Sequence, residues 1–153
     1  LSNVDLLATL AALAGYDLKD GDGPDSFNML PAFVGNPKRQ IRDHIIICPS
    51  SKRHMSIRKD EWVYIPARNG GGFGGKKIGD HAFGGAAVFQ LTHQVNSDIE
   101  NAEVKPDAPQ GQLYNLEKDP YQTTNVYNKY PKVVKKMARL LDRKVNRQNS
   151  TRK

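Results

Sequence analysis

Cysteine is nearly absent from this sequence. Cys48 stands alone among 153 residues, which excludes an intramolecular disulfide framework and any zinc site built on several thiolates. Long apolar runs are absent too, and none approaches the ~18–20 residues that a membrane span requires. Hydrophobic residues make up only 38% of the chain, so one lean core is expected, with many turns from thirteen glycines and nine prolines. The chain opens on Leu1 without the basic region and apolar stretch of a signal peptide; the expectation is a piece of a longer protein. The four histidines, His44, His54, His81 and His93, show no i,i+4 or similar ligand spacing, so no metal site is expected among them.

What is present in excess is positive charge, and it is unevenly placed. Nine Lys and Arg residues face a single acid, Asp142, between Lys132 and Lys153, giving that stretch +8 of the overall +7 and leaving the rest at about −1. The stretch reads either as a contact for nucleic acid or another anionic surface or as the solvated face of a helix. No aromatic side chain interleaves with the basic ones, as a platform for stacking single-stranded bases would need. From sequence the solvated face is the favoured reading.

Along the chain, Ser2 with Asp5 forms a capping-box signature, and Val4, Leu6, Leu7, Leu10, Ala11, Leu13 and Ala14 continue as a helix that stops at Gly15. Its wide apolar arc calls for a large packing partner that this chain does not obviously supply. A loop over 16–42 contains a short helical piece around Phe27, Met29, Leu30, Phe33 and Val34. His44–Cys48 reads as a short buried strand, 49–52 as a turn, and His54–Arg58 as a strand. A tight turn at Lys59-Asp60 leads to a strand over Trp62–Ile65, and the three strands make an antiparallel meander.

The stretch 66–109 has little periodicity, and eight of its glycines crowd into positions 70–85. Loops of that length are usually functional or mobile. The run GGGFGGKKIG fails as a phosphate loop, because Lys76 is followed by Lys77 where a Walker A motif needs Ser or Thr. Gln112–Leu116 reads as a strand. Asp119-Pro120, with Gln122 after it, reads as the start of a helix. Pro131 opens the final helix, whose Val133, Val134, Met137, Leu140, Leu141 and Val145 share one face, with the basic residues opposite. That stripe is core packing.

Three of these stretches together resemble the C-terminal part of a sulfatase, of the arylsulfatase type in the alkaline-phosphatase-like superfamily. VDLLATLAALAG (Val4–Gly15) is similar to the family's DL-x-x-T-L-x-x-L-x-G helix, which ends the large catalytic domain. DSFNMLPAFVGN (Asp25–Asn36), IRDHIII (Ile41–Ile47) and SIRKDEWVYI (Ser56–Ile65) resemble the crossover into the smaller domain and its first hairpin. QLYNLEKDPYQTTNVYNKYPKVVKKM (Gln112–Met137) resembles the closing LY-D-L-x-x-DP-x-E-x-x-N segment and final helix, with Asn115 and Gln122 in place of the commoner Asp and Glu. The matches span almost the whole chain and are least distinctive over 69–108.

The resemblance implies an α+β fold: a small antiparallel sheet of about four strands packed against a C-terminal helix, preceded by a helix of the large α/β domain. It places 1–40 at the end of that domain and 41–153 in the C-terminal subdomain. It implies hydrolysis of sulfuric esters by a formylglycine nucleophile with a divalent cation, usually calcium, both upstream of Leu1, in a secreted or periplasmic bacterial enzyme. The piece alone is expected to be inactive. Its partners would be the upstream catalytic domain and a sulfated small molecule or carbohydrate, with no membrane, and with nucleic acid disfavoured. Cys48 sits in CPSSKR, but Pro49 follows it one position too early for the family's C-x-P-S-R signature and Lys52 stands where Arg belongs, so a buried small hydrophobe is the expectation for it. The turn after the first strand tends in the family to face the cleft mouth, which makes His44, Lys52, Arg53 and His54 candidate contacts for an anionic sugar, with Arg68 beside the Gly-rich loop; a solvated hairpin turn is the competing reading. No catalytic or metal-binding residue is assigned to this chain. Two other readings remain: a stand-alone module binding sulfated glycan or another polyanion through the basic C-terminal helix, and a structural element with no ligand.

Overall fold

The computed structural model describes residues 2–35, 37, 39–49, 54–69 and 92–150, the last four without side-chain detail. The chain separates into two compact units, Leu1–Ile45 with Arg143–Lys153, and Ile46–Asp142.

In the first unit a single helical turn, Asn3–Asp5, leads into helix α1, Leu6–Leu13. The Asp5 carboxylate accepts the Ser2 backbone N–H at 3.0 Å, as the capping signature requires. The helix stops in a Schellman arrangement. Gly15 takes φ +70°, the Tyr16 N–H donates to the Ala11 carbonyl and the Gly15 N–H to Ala12, and only glycine enters that left-handed position without steric cost. Helix α2, Leu30–Val34, packs against α1. The segment before it is hydrogen-bonded onto α1 by small polar side chains. Ser26 Oγ accepts the Ala8 N–H at 2.9 Å, and Thr9 Oγ1 donates to the Asp5 carbonyl at 2.6 Å while accepting the Met29 N–H at 3.0 Å. The apolar arc of α1 stays uncovered, with Leu6, Leu7, Leu10 and Leu13 each half-exposed or more.

The second unit is built on a four-stranded sheet in the order β1-β2-β3-β6. Its strands are β1 (Ile45–Ile47), β2 (Ser56–Lys59), β3 (Trp62–Ile65) and β6 (Gln112–Asn115). Strands β2 and β3 pair antiparallel, as do β3 and β6. The register aligns Ile57, Tyr64 and Leu113 in one cross-strand row, and all three are buried. The final helix is α3, Pro131–Ser150, and its part up to Asp142 belongs to this unit. Tyr130, just before the helix, meets the Trp62 ring edge-on at 5.3 Å, and the Asp142 charge reaches the Tyr64 hydroxyl. Met137 and Leu141 are buried at 2% and 5% exposure, so these two of the expected stripe are core, while Val133, Val134, Leu140 and Val145 are half-buried. The fold is α+β with an antiparallel sheet and a C-terminal helix, as expected.

Several local expectations are corrected. Strand β1 lies at the sheet edge with Ile47 exposed, so its β-branched run does not mark a buried strand. Cys48 is exposed rather than buried. The β2–β3 turn is Asp60-Glu61, one residue later than expected, with Asp60 at φ 53°. Asp119-Pro120 starts no helix; the carboxylate instead closes a loop by accepting the N–H groups of Thr123 and Thr124 at 3.0 and 2.8 Å. Gln122 takes φ 56°, outside any helix. The long stretch before β6 contains a small hairpin, β4 (Ile99–Glu100) and β5 (Glu103–Val104). Asn101 and Ala102 both have positive φ there, the requirement of a two-residue type I′ turn. The turn expected over 49–52 and the Gly-rich run lie outside the described residues, apart from Pro49.

Candidate functional site

The five residues expected to contact an anionic sugar have different surroundings. Lys52 and Arg53 lie outside the described residues. His44, just before β1, is half-buried, with its side chain 9% exposed and its Nδ1 2.5 Å from Asp43 Oδ1, and its carbonyl accepts Arg42. His54 is half-buried in the turn before β2. Arg68, past the end of β3, turns its guanidinium onto main chain: Nη2 donates to the carbonyls of Lys105 and, at 2.9 Å, of Pro106. This bond ties the end of β3 to the segment after the β4–β5 hairpin.

Two networks that the sequence did not disclose organise the polar chemistry of the units. In the first, Asp5 is 1% exposed and forms an ion pair with Arg42, which lies 37 positions away. Arg42 Nε holds Asp5 Oδ2 at 3.1 Å, and its Nη2 donates to Asp5 Oδ1 and to the Asp25 carbonyl at 2.7 Å. The guanidinium lies 4.3 Å over the Phe27 ring. Phe27 N–H completes the set on Asp5 Oδ1 at 3.0 Å. Burial pushes the Asp5 carboxyl up, but the hydrogen bonds from Arg42, Phe27 and Ser2 and the Arg42 charge outweigh it and hold the group below the usual carboxylate range.

In the second unit the register places Tyr114 on the sheet face opposite Leu113. Its hydroxyl donates to Gln112 Oε1 at 2.9 Å and accepts Asn96 Nδ2 at 3.1 Å. Asn69 Nδ2 donates to Asn96 Oδ1 at 2.9 Å, and Asn96 Nδ2 also reaches the Gln122 carbonyl at 2.7 Å. Gln112 Nε2 donates to the Ala67 carbonyl at 3.0 Å. Burial drives the Tyr114 hydroxyl well above the ordinary phenol range, so it stays a protonated donor. Beside this network Asn125 donates to Asp98 Oδ2 at 2.7 Å and to the Gly111 carbonyl at 3.0 Å, and accepts the Leu113 and Tyr127 N–H groups at 3.0 Å. With Val126 N–H on the Leu113 carbonyl at 2.9 Å, this segment covers the outer edge of β6. Gly111 makes the close approach possible, since a Cβ there would lie 2.5 Å from the Tyr127 ring.

Each network orients backbone and presents its donors to protein acceptors, so its chemistry is positional. Among the described residues no three His, Cys, Asp or Glu side chains gather in a way that would hold a metal ion, and no helix is long and apolar enough to cross a membrane. The sequence signals for the networks were the single residues Asp5, Arg42, Asn69, Asn96 and Gln112, and no spacing rule joins them.

No family model matches the chain. No curated protein matches it either. A solved structure does. It is a Bacteroides thetaiotaomicron chain designated BT33336S-sulf, described with the metabolism of multiple glycosaminoglycans by a versatile core genetic locus. The two superpose with a TM-score of 0.57 at 23% identity over 90% of this chain. The present chain spans 23% of the length of that one. At this identity the likeness concerns the fold, and the class defined is that of the α+β segment within the larger neighbour.

Proposed function

We propose that this chain is the C-terminal part of a sulfuric ester hydrolase, completing the fold and lining the cleft for a sulfated carbohydrate. The observation that carries the reading is the fold likeness to a sulfatase-named chain over 90% of these residues. The three sulfatase-like stretches, occurring in the family's order, add to it. In this reading the first forty residues end the large catalytic domain and the remainder forms the C-terminal subdomain. The half-exposed leucines of α1 then pack against the rest of the large domain, which fits a chain that spans under a quarter of its neighbour.

The formylglycine and the calcium or other divalent cation would belong to the remaining part of the longer protein. They would supply the nucleophile and the stabilisation of charge on the sulfate oxygens. The described residues contain no cluster suited to that cation; their part is to hold the cleft wall. His44 and His54, with Lys52 and Arg53, are the side chains proposed to meet the sugar, and Arg68 acts by fixing the 105–106 backbone. The proposal carries secretion or periplasmic location with it.

The test is sulfate release. The protein encoded by the extended reading frame should liberate sulfate from a sulfated monosaccharide or an aryl sulfate, and the chain 1–153 alone should not. Metal-dependent turnover by the isolated chain would overturn the division of labour. An extended frame without C-x-P-S-R upstream of Leu1, and without sulfate release, would overturn the enzyme reading.

A further inference from the structure

The basic residues at the start of α3 form one strip. Lys132, Lys135, Lys136 and Arg139 recur at i, i+3, i+4 and i+7, so they share a single helix face over about 10 Å. All four are exposed, and none forms an ion pair among the described residues. The opposite face supplies Met137 and Leu141 to the core.

A merely solvated helix face normally mixes signs, placing acids three or four residues from each base. Here the i,i+3 and i,i+4 neighbours along the strip are themselves basic, which is repulsive. The strip also occupies the N-terminal half of α3, whose first turn holds no acid, so its charges oppose the helix dipole. Asp142, three residues beyond Arg139, is the one acid of this helix and forms no ion pair with the strip among the described residues, so the repulsion among the four basic residues is left for a bound anion to offset. Outside 132–153 the chain sums to about −1, so the basicity is confined to this terminal stretch.

We propose that Lys132, Lys135, Lys136 and Arg139 are a docking strip for a linear sulfated polysaccharide, holding the polymer outside the cleft; the choice of polymer rests on the proposed function. Two observations disfavour a lipid surface and a single-stranded nucleic acid, and duplex DNA is an outcome of the test below. The apolar face of α3 is buried in its own core, so no face remains to enter a lipid surface. Between Lys132 and Arg139 there is no aromatic residue to stack a base. What is left is recognition of closely spaced anionic groups along a line by charge, with Arg139 able to grip an oxyanion through two donors.

The experiment measures binding of the full chain to heparin, to a random-sequence DNA duplex and to phosphatidylserine vesicles, at low and at physiological salt. The variant K132Q/K135Q/K136Q/R139Q should bind heparin at least about tenfold more weakly, with a flatter salt dependence. The charge-keeping variant K132R/K135R/K136R should bind as the parent does. The pair K19Q/K118Q, at exposed lysines elsewhere, should change nothing. If the fourfold variant does not fold, K132Q/R139Q carries the same comparison. Undiminished heparin binding by the glutamine variant overturns the proposal. So does tighter strip-dependent binding of DNA or vesicles than of heparin. Sulfate release is read separately, so a failure of the enzyme reading leaves the strip result visible in its own right.

Discussion

The two units balance apolar burial and polar satisfaction differently. The sheet unit has an apolar row, Ile57, Tyr64 and Leu113, together with an amphipathic helix. The unit around α1 buries a carboxylate and a threonine, while four of its leucines are half-exposed or more. The sheet unit adds an apolar core to the buried Tyr114–Asn96–Gln112 network, whereas the α1 unit rests chiefly on satisfied polar groups, with the Asp5–Arg42 pair at its centre. A unit of the second kind is sensitive to the loss of one hydrogen-bond partner and insensitive to trimming of its leucines.

The largest expected effect comes from breaking the ion pair. Arg42→Ala leaves the Asp5 carboxylate buried without its partner and should cost about 3–5 kcal/mol, read as loss of amide exchange protection at Phe27 and Met29 with the sheet amides unchanged. Because Asp5 has its carboxyl held below the usual range in the folded chain, its contribution is fully present above the unfolded-state pKa of roughly 4. It should fade as pH falls through the lower folded value, and that acid dependence should vanish in Arg42→Ala. Next is Leu113→Ala, which empties the centre of the sheet core and should cost about 2–5 kcal/mol by denaturant unfolding followed at Trp62. The smallest effect sharpens the contrast. Leu10→Ser on the exposed arc of α1 should shift stability of the isolated chain by no more than about 0.5 kcal/mol. A large loss there would mean that the leucine face is already covered in the chain alone.

Parts of this arrangement were legible in the sequence and parts were not, for definable reasons. Trp62–Ile65, Gln112–Asn115 and the Pro131 helix start were readable because period, β-branching and proline all act within a few residues. Asp119-Pro120 misled because the same carboxylate chemistry that caps a helix also closes the loop to Thr123 and Thr124. The β4–β5 hairpin escaped because two-residue strands show no alternation. For the candidate site, His44 could be nominated from its place beside a strand. The Arg42–Asp5 pair joins positions 37 apart and Asn69–Asn96 positions 27 apart, and long-range pairing of single polar residues leaves no local pattern. The basic strip was visible as charge, but its exposure and the absence of ion pairs to it among the described residues required the structure.

The hydrogen bond between Asn69 and Asn96 has an engineering corollary. It brings the two ends of the intervening sequence together beside the sheet. Closing a longer flexible loop costs only about 0.6 kcal/mol per doubling. A foreign peptide inserted between these two asparagines should therefore leave the β3–β6 pairing intact.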